Sequence, residues 1–428
     1  MHIPPSLKHR KFFYLWLGQL ISITGTQMQL WALFWHINSL DKNPIALGGI
    51  GVARIVPVVL FSLIGGALAD SVDRRRVMFI TQSFAALLAL ALGLLTQFGH
   101  VTIWYIYAIT ALQAVAVAFD GPSRQALVPN LVPKQDLPNA FSMTFTAFQA
   151  GAVIGPALTG FVIASMGQEA VYYFNAVSFG AVLVALFMIG DVPQMISERS
   201  AGITLDAIAD GIRFILAKPI IFSTMMIDFV ATFFASANTL MPIIAKEMLD
   251  VGVVEYGYLS AASAVGAVAV ALVISQVREI RRQGFVFLIS VIIFGIATIV
   301  FGTTRSFLVA WLATAVTGGA DGVSTIVRNT IRQLQTPDHV RGRMTSINQI
   351  FFMGGPQLGE IEAGTVAQFF GAPFAVVTGG IGCIVGTLLV VMKWPQLKDY
   401  NGDEPIEAGN LPGTSTGASL IANRVRKQ

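Results

Sequence analysis

Long apolar segments alternate with short polar loops along the whole chain. A helix needs about 20 apolar residues to cross the roughly 30 Å hydrocarbon core of a bilayer. Twelve segments fit this length: 12–37, 47–69, 77–97, 102–121, 139–166, 169–190, 219–245, 255–277, 284–303, 307–327, 343–370 and 372–394. The pattern predicts an all-α integral membrane protein with twelve transmembrane helices.

The composition agrees with this class. The 428 residues are 54% hydrophobic and 12% charged, and the mean hydropathy is +0.70, whereas soluble domains carry about 25% charged residues. The net charge of +4 does not indicate a nucleic-acid partner, because the basic residues are spread over short loops instead of forming one patch. The single cysteine, Cys383, lies in an apolar stretch and predicts neither a disulfide framework nor a metal site. No cofactor or metal is expected.

Lysine and arginine are distributed unevenly between the two sides of the predicted bundle. With a cytoplasmic N-terminus, Lys42, Lys246 and Arg305 lie on the far side and Arg54 lies inside the second span. The rest of the 27 basic residues, including Arg328 and Arg332 after the tenth span, are then assigned to the cytoplasmic side. The positive-inside rule therefore places both termini in the cytoplasm. No cleavable signal peptide is expected, because the first span is long and no cleavage site follows it.

The longest internal break divides the spans into two sets of six. The predicted domains are residues 1–190, a cytoplasmic linker 191–218, residues 219–394, and a cytoplasmic tail 395–428 that is expected to be disordered after Asp399. A weak repeat supports the division, since Asp120-Gly121-Pro122-Ser123 is echoed by Asp321-Gly322-Val323-Ser324. Two related six-helix halves indicate a transporter with its site between them.

Two segments of the first half carry a resemblance to a known family. The run Gly66-Ala67-Leu68-Ala69-Asp70-Ser71-Val72-Asp73-Arg74-Arg75 resembles the loop 2–3 signature of the major facilitator superfamily, G-x-x-x-D-R-x-G-R-R. Ser71 replaces its basic residue, and Asp73 replaces its glycine. The acid before the arginines is similar to the branch of enterobactin and macrolide exporters, the drug:proton antiporter-3 type. The run from Gly151 to Gly160 resembles the antiporter motif G-x-x-x-G-P-x-x-G-G, with Thr159 for one glycine.

The resemblance implies a fold and a function. The implied fold is the major facilitator fold, and the implied function is export of an amphipathic small molecule, such as a drug, siderophore or metabolite, by proton-coupled antiport. The alternative is a proton-coupled importer or a lysophospholipid-flipping transporter of the same fold. The implied partners are the substrate, protons and membrane lipids, and the implied state is a monomer in a bacterial inner membrane. An enzyme is not expected, because the five histidines are scattered and show no catalytic or metal-ligand pattern.

The basic loop is a candidate conformational gate made of Gly66, Asp70, Asp73 and Arg74. A carboxylate at a helix end can accept hydrogen bonds from the free N–H groups that begin another helix. The resemblance implies that this partner is the eleventh helix near Arg343, so that Asp70 and Arg74 would latch the two halves. The alternative is that the arginines only fix topology and touch anionic lipid, as is expected of Arg75 and Arg76.

The antiporter-like motif consists of Gly151, Gly155, Pro156 and Gly160. The glycines on one helix permit close backbone approach, and the proline would bend the helix. Ordinary packing of small residues is a compatible alternative.

Charged and polar residues inside the spans are the remaining site candidates, because burying a charge in a membrane costs several kcal/mol unless it is paired or hydrated. Arg54 is expected either to face a polar cavity or to form a structural ion pair. Polar rows follow the first and seventh spans: Gln19, Ser22, Thr26 and Gln29 in one, and Thr224, Asp228, Thr232 and Thr239 in the other. They would line the substrate cavity or hydrogen-bond between helices.

Three intramembrane carboxylates, those of Asp228, Glu360 and Glu362, are proton-coupling candidates because an apolar environment favours the neutral acid. Glu360 and Glu362 point about 200° apart on one helix, so only one can face the cavity directly. Asp120 and Arg124 are expected to form a local ion pair. The fourth span lacks the embedded arginine of many proton antiporters of the superfamily, which makes proton coupling a separate hypothesis from transport.

Overall fold

The computed structural model describes residues 4–193, 213, 215–235, 237–277, 280–336 and 338–402. Within these ranges the protein has twelve long helices joined mostly by short turns, which confirms the predicted all-α architecture. They are α1 (Arg10–Leu40), α2 (Pro44–Ser71), α3 (Arg74–Gln97), α4 (Ile103–Leu127), α5 (Leu137–Met166), α6 (Gln168–Ile189), α7 (Pro219–Phe234), α8 (Val253–Ile274), α9 (Gln283–Thr303), α10 (Phe307–Gln335), α11 (Asp338–Phe370) and α12 (Ala372–Lys393). A short helix, α13 (Gln396–Asp399), follows.

The helices begin and end at residues with recognisable local chemistry. The side chain of Asn43 accepts a hydrogen bond from the Ile45 N–H before α2, and Asp73 accepts one from the Arg75 N–H before α3. Gly167 separates α5 from α6 with φ +89°, and Gly371 separates α11 from α12 with φ +87°. Only glycine adopts this left-handed region without strain. The two turns occupy equivalent places in the sequence repeat.

The helices form two groups. In the first, α1 packs on α5 and α6, α2 on α4, and α3 on α4 and α6. In the second, α8 and α9 pack on α10, α9 on α12, and α7 on α11 and α12. The main contacts between the groups join α2 to α11 and α5 to α8. The boundaries 1–190 and 219–394 stay a prediction, and most of the predicted linker lies outside the described residues.

Hydropathy alone supports ten membrane spans among the described residues, by length and composition. The first and eleventh helices are not among the ten. Both carry rows of polar side chains, such as Gln19 and Gln29 in α1 and Glu360 and Glu362 in α11. They are nevertheless two of the longest helices of the bundle, with 31 and 33 residues.

The seventh span is not one continuous α-helix as the sequence predicted. Helix α7 ends at Phe234 and is followed by a 3₁₀ turn Ala237–Leu240, a short helical turn Met241–Ile243 and a π turn Ile244–Met248. Pro242 disfavours a regular α-helix through the second part of this segment, because a proline removes one helical N–H donor and its ring clashes with the carbonyl four residues earlier, that of Asn238. Thr239 therefore lies beyond the helix that carries Asp228 and does not continue its polar row.

The C-terminal tail begins later than the sequence predicted. Leu397 and Tyr400 are buried, the Tyr400 carbonyl accepts a hydrogen bond from the Gly284 N–H, and the Tyr400 hydroxyl accepts one from Gln335. Residues 395–402 are thus packed against α9 and α10 rather than forming a tail, because two large side chains gain apolar burial there. Residues 403–428 lie outside the described part.

Candidate functional site

The second and eleventh helices cross at close range. A Cβ atom at Gly51 would lie 2.4 Å from the Gln357 carbonyl oxygen, and one at Gly48 would lie 2.8 Å from that of Glu360. Gly364 meets α2 in the same way, 2.8 Å from the Pro44 carbonyl oxygen. Small residues let helix backbones approach closely in a membrane. This crossing holds the two helix groups together on one side of the bundle.

The crossing brings Arg54 of α2 and Glu360 of α11 together. Nη1 of Arg54 lies 3.7 Å from Oε1 of Glu360, with 33% of the arginine side chain and 7% of the glutamate side chain exposed. Among the described residues, Oε2 of Glu360 has no hydrogen-bond partner. The sequence proposed the two residues for separate roles, and the structure places them in one ion pair between the helix groups.

Glu362 does not share this contact. Its side chain is half-buried, and its Oε2 atom has no hydrogen-bond partner in the described part of the chain. Glu360 is therefore the one of the two glutamates that faces α2, in agreement with their opposite directions on α11.

A second charged cluster lies between α7 and α10. Oδ1 of Asp228 is 2.7 Å from Nη1 of Arg328, and both residues are buried, with 2% exposure for each. The same Nη1 atom lies 3.1 Å from the Ser324 hydroxyl and 3.4 Å from Oδ1 of Asp321. The contact with Asp228 lacks hydrogen-bond alignment, and both carboxylate oxygens are without a hydrogen-bond partner among the described residues. One guanidinium is thus shared between two carboxylates.

The assignment of Arg328 and Arg332 to a loop was wrong. Helix α10 continues to Gln335, and both arginines are buried in it. Nε of Arg332 donates to the Arg328 carbonyl oxygen at 3.0 Å. The predicted span ended at residue 327, just before Arg328, because arginines are expected in the loops of a membrane protein. The spacing of Asp321, Ser324 and Arg328, three and four residues apart, was the signal that could have revealed one polar helix face.

The expected ion pair between Asp120 and Arg124 is confirmed. Nε of Arg124 donates to Oδ2 of Asp120 at 3.0 Å. The other oxygen of Asp120 accepts hydrogen bonds from Thr81 and Gln82 of α3. This carboxylate is therefore fully engaged in contacts within the first helix group.

The polar row of α1 forms part of a hydrogen-bond chain between helices. Nε2 of Gln29 donates to Oε1 of Gln113 in α4, and Nδ2 of Asn175 in α6 donates to Oε1 of Gln29, both at 2.7 Å. These hydrogen bonds join α1, α4 and α6 of one group. They agree with the alternative that the polar row of α1 serves hydrogen bonding between helices. Both polar atoms of the Gln29 amide are thereby paired within the helix group, whereas Nε2 of Gln113 has no hydrogen-bond partner among the described residues.

The other members of the polar rows differ in exposure. Gln19 and Ser22 are buried, whereas Thr26 is exposed. In α7 the hydroxyl of Thr232 donates to the Asp228 carbonyl oxygen at 2.7 Å, and Thr232 lies against α11 at Gly355. A role of these residues in substrate binding stays a prediction.

The antiporter-like motif of α5 lies between α1 and α8. A Cβ at Gly155 would lie 2.6 Å from Cβ of Gln27 in α1, and one at Gly160 would lie 2.4 Å from the Val253 carbonyl oxygen in α8. Gly151 meets Ile23 of α1, and the Pro156 carbonyl oxygen faces Gly257 of α8. The motif therefore provides close packing on two sides, one of them across the two helix groups.

In the basic loop the described contacts stay within the first group. Nη1 of Arg74 donates to the Ala126 carbonyl oxygen at 3.2 Å and to Oδ1 of Asn130 at 3.0 Å, at the end of α4. Nε of Arg75 donates to the Leu186 carbonyl oxygen at 2.8 Å, at the end of α6, which is a structural role beyond topology. The side-chain surroundings of Gly66, Asp70 and Arg343 lie outside the described part, so the latch to α11 stays a prediction.

At the end of the bundle opposite the basic loops, the two groups seal against each other. The Tyr256 hydroxyl of α8 donates to the Trp31 carbonyl oxygen of α1 at 2.9 Å, and the Tyr256 ring lies 5.0 Å from that of Trp35. The α2–α11 and α5–α8 glycine crossings lie at this end too. Tyr256 is fully buried and belongs to a buried apolar cluster with side chains from both groups, as expected of an end that is closed to solvent.

Near the basic loops, the inward face of α5 is exposed. Phe141, Phe145 and Phe148 are 46%, 60% and 48% exposed. Eleven residues, or about three turns, separate Phe148 from Thr159, so they share a face. Thr159 is fully buried, and its hydroxyl donates to the Met28 carbonyl oxygen of α1. The same face is thus buried at one end and exposed at the other, as expected of a cavity that opens toward the basic loops.

The fold and these contacts agree with a comparison at the family level. Residues 4–411 match the sequence model of the family described as "Transmembrane secretion effector", a branch of the major facilitator superfamily. The chain belongs to this family. It is therefore a membrane transporter and not an enzyme.

Relatives of known function are exporters or transporters of small molecules. The "Enterobactin exporter EntS" of Citrobacter koseri is 23% identical over 347 residues, which cover 81% of this chain and 83% of the relative. The "Staphyloferrin A transporter" of Staphylococcus aureus is 26% identical over 381 residues, covering 88% and 93%. The similarity spans both helix groups.

Solved structures share the fold. A bacterial homolog of the human lysosomal transporter Spinster, inward-facing and unoccupied, superposes with a TM-score of 0.67 at 15% identity and covers 91% of this chain and 96% of that one. A POT family transporter in complex with 5-aminolevulinic acid superposes with a TM-score of 0.71 at 13% identity, with the same coverage. At these identities the likeness shows the fold alone.

Proposed function

We propose that the protein is a secondary active exporter, which carries an amphipathic small molecule out of a bacterial cell by alternating access and is driven by proton influx. Residues 1–190 and 219–394 form the two halves that rock against each other. The basic end faces the cytoplasm, so both termini are cytoplasmic and the protein lies in the inner membrane. One chain is the transporting unit.

The ion pair between Arg54 and Glu360 is the observation that supports proton coupling best. It joins α2 to α11, and so it joins one half to the other, at the closed end of the bundle. Protonation of Glu360 would remove the carboxylate charge and with it the attraction to Arg54. A proton would thereby loosen the contact between the halves, which is what coupling requires.

Export is supported by the relatives. Relatives that match more than four-fifths of the chain include an enterobactin exporter and a staphyloferrin A transporter. A cavity open at the basic end is the state in which an exporter would load its substrate, and also the state in which an importer would release it. We propose a siderophore, drug or metabolite with apolar and polar parts as that substrate.

The test begins with a survival screen, in which an efflux-deficient bacterial strain expresses the chain and is exposed to drugs and siderophores. A compound found in this way is then followed in membrane vesicles with an imposed pH gradient. The unmodified protein should concentrate the compound against its gradient. Glu360→Gln should abolish this uphill transport but preserve exchange, because the amide imitates the protonated acid and does not cycle.

The controls separate the three candidate carboxylates. Asp228→Asn, Glu362→Gln and the triple variant are measured beside Glu360→Gln, and Glu247→Gln serves as the matched control because Glu247 is exposed at the closed end of the bundle. If the triple variant still concentrates the compound, none of these carboxylates carries the proton. If the unmodified protein shows only downhill flux, antiport is wrong and the transporter family alone remains.

A further inference from the structure

The repeated Asp-Gly-x-Ser segment has two copies that are built differently. In the first copy, Asp120 is buried and accepts hydrogen bonds from Thr81, Gln82 and Arg124 at 3.2, 2.9 and 3.0 Å. In the second copy, the described contact of Asp321 is with Arg328, at 3.4 Å, and 47% of its side chain is exposed. One copy is a satisfied structural ion pair, and the other is not.

The exposed side of Asp321 faces the interior of the bundle. The outer surface of α10 is marked by Val309, Leu312 and Val316, which are apolar and 40–50% exposed. Asp321 follows Leu312 by nine residues, or about two and a half turns, and so lies on the opposite side of the helix. An exposed carboxylate on that side opens onto the cavity between the halves rather than onto lipid.

The Nη1 atom of Arg328 has more acceptors nearby than hydrogens to donate. This atom carries two hydrogens but lies within 3.4 Å of Asp228, Asp321 and Ser324. The two ion pairs also differ in kind. The pair with Asp228 joins α10 to α7, whereas the pair with Asp321 lies within α10, seven residues apart.

Among the residues whose side chains are described, the charged groups near Asp228 come from one helix. Helix α10 supplies Arg328 and Asp321, with Arg332 one turn further along, while α9 borders the same cleft with the apolar side chains of Val291 and Phe294. The described contacts of α11 and α12 in this region involve rings, glycines and one thiol. Helix α11 meets α7 through Phe351 against Phe229 and through Gly355 against Thr232. Helix α12 meets it through Gly382 against Phe234 and through Gly386 against Val230. The thiol of Cys383 in α12 contacts the Val291 carbonyl oxygen of α9.

We propose that Asp228 is a proton-binding site of the second half and that Arg328 is its positioning residue, which pairs with Asp228 when this carboxylate is charged and with Asp321 when it is protonated. The proposal rests on the proposed proton coupling and adds a site separate from Arg54 and Glu360. Asp321 is the exposed residue of this cluster, and it connects the cavity to the buried pair of Asp228 and Arg328.

The net charge of the cluster explains how protonation of Asp228 changes the contact between two helices. With Asp228 and Asp321 ionised, the two arginines of α10 neutralise the two carboxylates. One proton converts the Asp228 carboxylate to the acid and leaves the cluster with one positive charge. Arg328 then turns to Asp321, so a contact between helices becomes a contact within one helix. Protonation thereby releases α7 from α10.

The experiment measures protonation directly, on the purified full-length protein in lipid nanodiscs without substrate. The carboxylic-acid C=O stretching band of Asp228 is followed by infrared spectroscopy over a pH series and assigned as the band lost in Asp228→Asn. Should this variant not insert, Asp228→Glu assigns the band by a frequency shift. The matched control is Asp120→Asn, in the other copy of the repeat, which should leave the titration unchanged.

Two variants of the partner residues, Asp321→Asn and Arg328→Gln, test whether Arg328 exchanges between the two carboxylates. In Asp321→Asn the band should appear at lower pH, by about one unit, which is about a tenfold loss of proton affinity, because Arg328 has no second carboxylate to receive it. In Arg328→Gln the band should persist to higher pH, because Asp228 has lost its cation. A titration identical in Asp321→Asn and the unmodified protein overturns the exchange. The absence of any band that depends on Asp228 overturns the site.

The two proposals fail in different experiments. Vesicles that show only downhill flux contradict the proposed antiport, whatever the spectra give. Spectra without a proton on Asp228 contradict the second site and leave the proposed coupling through Glu360 unchanged.

Discussion

At the scale of single residues, the membrane makes each buried charge a costly feature that needs a partner. Arg54 and Glu360 provide one pair, and Asp228 and Arg328 provide another. The two pairs differ in access, because a third of the Arg54 side chain is exposed while Arg328 is buried. Arg54 can therefore meet a substrate or water, whereas Arg328 acts on its neighbouring side chains.

Arg54 allows a test by conservative substitution. We expect Arg54→Lys to keep partial transport and Arg54→Leu to lose at least about tenfold, since loss of a charged contact of about 1.4 kcal/mol corresponds to a factor of ten. Transport is measured in vesicles and normalised to the amount of inserted protein. If Arg54→Leu lowers expression but leaves the activity of the surviving protein intact, Arg54 is structural.

Asp70 is the residue on which the sequence-based gate depends. We expect Asp70→Asn to slow transport strongly while the protein still folds and inserts, because the change removes a charge at a helix end and no apolar surface. Arg74→Ala should act in the same direction, and Arg76→Ala should act much less. Flux through Asp70→Asn equal to that of the unmodified protein would contradict the gate.

At the scale of helices, glycines decide where the two groups touch. Gly257 of α8 faces the Pro156 carbonyl and Gly160 of α5, while Gly48 and Gly51 play the corresponding part between α2 and α11. A side chain at any of these positions would push the helices apart, and overpacking of this kind costs about 1–3 kcal/mol.

Gly257→Ala tests the α5–α8 crossing. The added Cβ would lie 2.8 Å from the Pro156 carbonyl oxygen and 2.9 Å from the Gly160 nitrogen. We expect a lower thermal unfolding midpoint in detergent and weaker closure at this end. Gly180→Ala is the matched control, because its Cβ would meet no described atom within 4 Å. Equal midpoints for both variants would show that the crossing tolerates a wider separation.

At the scale of the whole molecule, the described contacts close one end of the bundle and leave the inward face of α5 exposed at the other. Tyr256 and Trp31 seal the first end, and Phe145 marks the second. Alternating access predicts a second state in which this pattern is reversed.

Cysteine labelling tests which state the structure represents. The native Cys383 is buried, so a membrane-impermeant maleimide should react with Phe145→Cys from the side of the basic loops, which is the proposed cytoplasmic side, and leave Thr159→Cys, on the same face of α5, unlabelled. Inside-out and right-side-out vesicles distinguish the two sides. If Phe145→Cys is unreactive from both, this face contacts lipid and not an aqueous cavity.

Patterns within single segments were sufficient to predict the features that depend only on neighbouring residues along the chain. Apolar runs, loop charges and the motifs around Asp70 and Pro156 predicted the number of long helices and the family, because membrane insertion and helix formation depend on neighbours in the sequence. The ion pair between Asp120 and Arg124 belongs to the same class, since its members are one helical turn apart.

Contacts between distant segments were decided by the tertiary structure alone. Arg54 and Glu360 are more than 300 residues apart in the sequence, and they meet because glycines let α2 and α11 approach. Hydropathy assigns Arg328 to a loop. In the structure Arg328 is buried, because α10 continues past it and α7 brings Asp228 to it. The direction of a side chain on a helix follows from the sequence, but the partner it meets depends on how the helices pack.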